Sequence, residues 1–128
     1  MRRLLVFLVT SFLILGSSGS ILLKLSEGKV RDESNTLIGY LEKGVVRDNS
    51  NRVRGYLRPD GTIEDATHRA IFYVKTNGNI YNRTGHQVGR IGWSGSLHDE
   101  QGRRIGYLLG GSAEERVACY VLLVSYSW

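Results

Sequence analysis

Apolar positions along this chain keep fixed distances from a recurring glycine. The glycines are Gly28, Gly44, Gly61, Gly78 and Gly95, spaced by 16, 17, 17 and 17 residues. Two places after each stands an aliphatic side chain (Val30, Val46, Ile63, Ile80, Leu97), and thirteen places after each stands another (Leu41, Leu57, Val74, Ile91, Leu108). Four places on comes Asp32, Asp48, Asp65, Asn82 or Asp99. Eleven places on comes Gly39, Gly55, Phe72, Gly89 or Gly106, followed at once by Tyr40, Tyr56, Tyr73, Arg90 or Tyr107. Five copies agreeing at six offsets make an internal repeat. A unit of about 17 residues is too short for a helix pair or a strand and helix, and its β-branched and aromatic residues are punctuated by Gly, Asn and Asp. The pattern therefore predicts an all-β fold of five hairpins, with repeats starting near residues 28, 44, 61, 78 and 95.

The punctuation types the turns. Pro59-Asp60-Gly61 and Thr76-Asn77-Gly78 read as type I turns followed by a left-handed residue, giving three-residue hairpin loops with a bulge. Inside each unit the Asp or Asn opens a second turn, and three places later come Asn35, Asn51, His68, Gly85 and Gly102, residue types that tolerate positive φ more readily than most. The regular carboxylate is thus accounted for as a turn residue that hydrogen-bonds its own backbone.

The second strand of the unit carries apolar residues at ten places (Ile38, Ile71, Val88, Ile105, with Arg54 departing) and again at thirteen. An odd separation puts them on opposite faces of a regular strand. If both face the core, the strand is bulged or sharply bent, and the intervening glycine is the expected place. Bent strands favour a small closed assembly, with glycines around its centre and Phe72 filling the hollow that they leave. Ile21 to Leu25 stands where a strand would precede the first glycine. The apolar run Val117 to Val124 reads as a closing strand covered on both faces, which would pair the two ends and remove exposed edges.

The motif Gly-x-aliphatic-x-Asp/Asn followed by Gly-Tyr-aliphatic, repeated from Gly28 to Leu108 and closed by an apolar tail, resembles the five-fold β-flower proteins, small exported bacterial proteins. The resemblance implies a radial, closed, pseudo-five-fold β architecture and an extracytoplasmic site. It implies no catalytic residue, because the family carries no assigned activity. Phe72 for Gly, Arg90 for Tyr and Asn82 for Asp depart from the motif and break its symmetry.

Residues 1–20 stand apart from the repeat. Arg2 and Arg3 precede the uncharged run Leu4 to Leu15, and Gly16 to Ser20 are all small. That is the layout of a secretory signal peptide, and the run is shorter than the roughly 20 apolar residues that a membrane span needs. Cleavage near Ser18 to Ser20 would leave residues 21–128 as a single periplasmic or extracellular domain without a transmembrane span; retention as an anchor is the alternative. Removing the leader lowers the formal charge from +5 to +3, with 15 basic against 12 acidic residues. The single Cys119 has no partner for an intramolecular disulfide and reads as a small core residue.

Sites of chemistry are scarce. His68, His86 and His98 lie at different offsets without metal-ligand spacing, and Gly92-Trp93-Ser94-Gly95-Ser96 fails the nucleophile-elbow pattern at its fifth place. The repeated Asp could in principle gather calcium, but turn chemistry already explains it. No cofactor is expected. Tyr40, Tyr56, Tyr73, Arg90, Trp93 and Tyr107 form a candidate ligand surface, against the plainer reading that tyrosines at a sheet margin bury their rings and wet their hydroxyls. The alternation of arginines with acids, the small mature charge and export all argue against a nucleic-acid partner. The expectation is a non-enzymatic exported scaffold, structural or binding a protein or glycan at the cell envelope. The alternative is an enzyme or metal-dependent hydrolase with a site assembled across repeats, which predicts that departures from the motif cluster around one pocket.

Overall fold

A computed structural model describes residues 21–125. The period found in the sequence becomes a series of short strands: β1 (Ile21–Ser26), β2 (Lys29–Asp32), β3 (Leu37–Glu42), β4 (Val45–Asp48), β5 (Val53–Leu57), β6 (Thr62–Asp65), β7 (Ala70–Val74), β8 (Asn79–Asn82), β9 (Gln87–Ile91), β10 (Ser96–Asp99) and β11 (Arg104–Leu109). A helix, α1 (Ala113–Leu123), follows. Successive strands pair antiparallel, and the described sheet closes on itself as a barrel. With eleven strands alternating in direction, the first and last run the same way. Closure therefore needs one parallel seam, supplied by β11 on β1 from Gly106 opposite Ile21 to Leu109 opposite Lys24. A closed sheet has no edge on which a second chain can add.

The turns explain the uneven spacing of the repeat. Between β3 and β4, Lys43 and Gly44 both have positive φ, 52° and 77°, the backbone of a two-residue type I′ turn. Between β5 and β6 only Gly61 is left-handed (φ 93°), and its N–H donates to the Arg58 carbonyl at 3.0 Å. That is a type I turn with a following bulge residue, one residue longer than its predecessor. The change of turn type accounts for the step from a spacing of 16 to one of 17.

The bend expected in the second strand is present, one residue before the glycine. Val30 faces Gly39 whereas Arg31 faces Leu37, so Ile38 is the extra residue. Arg54, Ile71, Val88 and Ile105 are skipped in the same way. Each bulge adds local twist, which short strands need in order to curl into a ring. The bulge lets the extra residue join the core, Val88 being buried and Ile38, Ile71 and Ile105 packed against it, and the glycine and the aliphatic two places later share the inner side as alternate strand residues do: Gly39 and Leu41 are buried, as are Gly89 and Ile91. The tyrosine position between them points outward.

The apolar tail is a helix, not a closing strand. Six consecutive residues, Val117 to Leu122, are buried, and a helix buried on every side has to be enclosed. Ser112 caps it: the Ser112 hydroxyl accepts from the Glu115 N–H at 3.1 Å and the Glu115 carboxylate accepts from the Ser112 N–H at 2.8 Å, a capping box. The two ends of the chain still meet through β1, but its partner is β11. α1 packs against β3, β4 and β5, and against β1 and β11.

The inner glycines make room for this helix. A Cβ added at Gly39 would lie 2.8 Å from Leu123 Cδ1, and one at Gly55 would lie 2.7 Å from Leu122 Cδ2. The hollow before those two glycines is therefore filled by α1, which corrects the assignment of that task to Phe72. Phe72 itself is 5% exposed and belongs to the core, on β7, outside the set of strands on which α1 chiefly rests.

Candidate functional site: the outer face of the barrel

The outward position of each unit carries Tyr40, Tyr56, Tyr73, Arg90 and Tyr107, and strand register places each in a different sector of the ring. Tyr40 lies opposite Lys29 and Arg47, and Tyr56 opposite Val45 and Glu64. Tyr73 lies opposite Thr62 and Tyr81, Arg90 opposite Asn79 and His98, and Tyr107 opposite Ser96 and Leu22. The side chains thus form a belt, not one convergent site. Tyr40 and Tyr56 are half-buried, and Tyr73 (38% exposed) and Tyr107 (36%) are the more open tyrosines. Trp93 is 98% exposed, but it sits in the β9–β10 turn, off the belt. Rings on the belt carry cationic or stacking partners: His68 stacks on Tyr56 at 4.0 Å between centroids, and the charged ends of Lys75 and Arg104 lie 4.9 Å from the centroids of Tyr81 and Tyr107.

The repeated carboxylates are spent on their own turns. Asp48 Oδ1 accepts the N–H groups of Ser50 (2.9 Å) and Arg52 (3.0 Å), and the same pair of bonds recurs at Asp32, Asp65, Asn82 and Asp99. In three units the arginine four places on donates Nε to Oδ2: Arg52 at 3.2 Å, Arg69 at 3.3 Å and Arg103 at 3.1 Å. Among the described residues no group of three His, Cys, Asp or Glu side chains is placed to share a metal ion.

These bonds favour the ionised carboxylates. The Arg52 N–H leads in lowering the pKa of Asp48, and the Thr67 hydroxyl leads in bringing Asp65 down to about 2. Asp99 is also lowered, since partial desolvation is outweighed by the Arg103 N–H and charge. A depressed folded pKa contributes stability that is present above the unfolded value of 3.8 and lost as pH falls through the folded value, here toward about 2 for Asp65. The melting temperature is therefore expected to hold from neutral pH to about 4 and to fall below it. Asp65→Asn should flatten the acid limb while preserving the turn, since Asn82 already builds the same turn. An acid limb equally steep in Asp65→Asn would contradict the assignment.

Cys119 is the opposite case, a group without chemistry to offer. Burial, with the nearby Glu115 charge, pushes its thiol up to about 12. Only about one thiol in ten thousand is then thiolate near pH 8. Iodoacetamide should label Cys119 on the timescale of unfolding, whereas rapid labelling of the folded protein would mean that α1 leaves the barrel.

The histidines, assigned from spacing to turns and surface, hold more structure than that. His68 combines its stack on Tyr56 with a contact from Nδ1 to Glu64 Oε1 at 3.2 Å. His86 Nε2 lies 3.0 Å from Glu100 Oε2. His98 faces outward beside Arg90, with its Nδ1 buried and without a hydrogen-bond partner among the described residues. A recess of about 390 Å³ is lined by His86, Arg90, His98, Asp99 and Glu100. A second, of about 380 Å³, includes Phe72, Tyr73, Lys75, Tyr81 and Arg83 in its lining. The signal available in the sequence was the joint departure of positions 82, 86 and 90 from their counterparts in the other units.

The family model for the 5-fold beta-flower protein matches residues 13–124, through the whole barrel and α1. The chain belongs to the 5-fold beta-flower family. No curated protein and no solved structure gives a significant match. In this β-flower chain no helix among the described residues is long and apolar enough to cross a membrane. The signal-peptide reading of residues 1–20 lies outside the described residues.

Proposed function

We propose that this β-flower protein is an exported, non-enzymatic scaffold at the cell envelope, built of five hairpin units of about 17 residues around a pseudo-five-fold axis, with the outer belt as its ligand-facing surface. The observation that carries the reading is the division of labour within the unit. Inner positions pack the core, and the turn carboxylates hold their own backbone. Besides Trp93 in the β9–β10 turn, the conspicuous side chains that reach solvent are the outward row, with Tyr40 and Tyr56 half-buried and Tyr73, Arg90 and Tyr107 more open. Tyrosine suits such a task, because it presents contact area and a hydroxyl at low entropic cost. The partner is a protein or a glycan met outside the cytoplasm.

The test is recovery of bound material from the native envelope by the wild-type protein and by a variant with Tyr40, Tyr56, Tyr73 and Tyr107 changed to Ser. The wild type should retain a partner that the variant loses while still melting in one cooperative transition. Equal recovery by both would overturn the assignment of the belt.

A further inference from the structure

Two departures from the repeat, Phe72 and Asn82, are register partners on one hairpin. Elsewhere the inner glycine of a unit faces the turn aspartate of the next: Gly39 faces Asp48, Gly55 faces Asp65 and Gly89 faces Asp99. Between β7 and β8 the pair is Phe72 and Asn82. The neighbouring outward pair differs too. Tyr40, Tyr56 and Arg90 face Arg47, Glu64 and His98, whereas Tyr73 faces a second tyrosine, Tyr81. Side chains so paired on one face lie about 5 Å apart. One place beyond Asn82 stands Arg83, where the other units carry Glu33, Asn49, Ala66 and Glu100.

These changes put donors where the other units have acceptors. In three units Oδ2 of the turn aspartate accepts from an arginine Nε. Asn82 keeps the backbone bonds of the turn through Oδ1, which accepts the N–H groups of Thr84 at 3.1 Å and His86 at 3.0 Å, but its other terminal atom is the donor Nδ2. That amide has no partner among the described residues and is open to solvent. Arg83 is exposed and makes no hydrogen bond or ion pair with the described residues. Lys75 is exposed as well, and its contact is a cation–π one, 4.9 Å from the Tyr81 centroid. Asn82, Arg83 and Lys75 join Tyr73 and Tyr81 in lining the recess of about 380 Å³, and no carboxylate belongs to that lining among the described residues. The carboxylates of the adjacent β6 are engaged: Arg69 Nε donates to Asp65 at 3.3 Å, and Glu64 lies 3.2 Å from His68 Nδ1.

We infer that the β7–β8 face binds a sugar phosphate, with the phosphate against Arg83 and the Asn82 carboxamide and the sugar ring against Tyr73. The inference rests on the reading of the belt as the ligand-facing surface and names its ligand. Two accessible cations and a spare amide donor, with no negative group in the lining, match a dianion better than a monoanion, which would leave one cation uncompensated. A guanidinium fork suits phosphate oxygens, and Lys75, at the other end of the tyrosine pair, adds the second charge. The tyrosine rings offer a flat apolar surface for the C–H face of a sugar, and their hydroxyls, with Thr62 in the same lining, offer partners for its hydroxyl groups. The recess has the size of a small-ligand pocket.

The experiment is calorimetric titration of the purified protein at neutral pH and low salt with glucose 6-phosphate, glucuronate, glucose and inorganic phosphate. The sugar phosphate should bind, and the other three should bind about tenfold more weakly or not at all. Arg83→Ala installs the residue that Ala66 supplies in the preceding unit, so it should melt like the wild type while losing about tenfold in affinity for glucose 6-phosphate. Asn82→Asp restores the residue of the other four units; it should keep the turn and lose at least as much affinity, because it returns a carboxylate to the recess. Glucuronate, glucose or inorganic phosphate binding as well as the sugar phosphate, no binding of the sugar phosphate at millimolar concentration, or an unchanged affinity in either variant would each overturn the inference. If the sugar phosphate fails while the belt variant above still loses a partner recovered from the envelope, only the ligand assignment falls. If belt replacement changes no recovery at all, the underlying reading falls with it.

Discussion

Gly55→Ala, the addition of one methyl group, is expected to destabilise the barrel by about 3 kcal/mol and to leave much of the protein unfolded at 37 °C. The new Cβ would meet the Glu64 carbonyl oxygen of the neighbouring strand and lie 2.7 Å from Leu122 Cδ2. The side chain of Leu122 can rotate at some cost; the β6 backbone can move only by breaking the register in which Gly55 faces Asp65. The double variant Gly55→Ala with Leu122→Ala should therefore recover part of the loss attributable to the leucine, leaving a residue due to the strand. Thermal melting of the two singles and the double measures this coupling. Strict additivity would mean that Leu122 does not fill the space before Gly55.

Leu122→Asp should have the larger effect, a loss of about 5 kcal/mol or failure to fold. Leu122 is fully buried, in a helix whose residues Val117 to Leu122 are all buried. Truncation to alanine at that place would cost about 2–5 kcal/mol through lost contacts and a cavity. An unpaired carboxylate adds a desolvation penalty that no nearby group offsets. By contrast Leu109→Asp, at a position 37% exposed, should change stability little. Comparable melting curves for Leu122→Asp and Leu109→Asp would contradict the placement of α1 inside the ring.

Much of the architecture is legible in the sequence because the constraints behind it are local. Gly61 after Pro59-Asp60, and Asn51 three places after Asp48, announce their turns through the backbone each residue type tolerates. The bulge is legible too, as the odd separation of Ile71 and Val74 across Phe72, although the extra residue is Ile71 itself. The apolar tail is not legible from its pattern, since a continuous apolar run fits a buried strand and a buried helix alike. Ser112 followed by Glu115 just ahead of that run is the cue that distinguishes them. A residue enclosed on all sides and a strand covered on both faces need the same side chains, so hydrophobicity cannot separate them.

The candidate site shows the same division. That Tyr40, Tyr56, Tyr73, Arg90 and Tyr107 share a position is visible in the repeat. Their separation into sectors depends on ring closure, a non-local property. The pairing of Arg90 with His98, and the release of His86 from a clamp by Asn82, depend on cross-strand register. Histidine spacing alone pointed only to turns and surface.

The central claim is that the barrel is a ring closed around α1, with the repeat serving its construction. Amide hydrogen exchange across α1 tests it most directly. Residues Val117 to Leu122 lie within the helix and are buried, so their amides should exchange only through global unfolding, with the same opening free energy as the central amides of β3 to β5. Exchange of these helix amides by local opening, orders of magnitude faster than that of the strands, would show that the helix is not enclosed and would contradict the account.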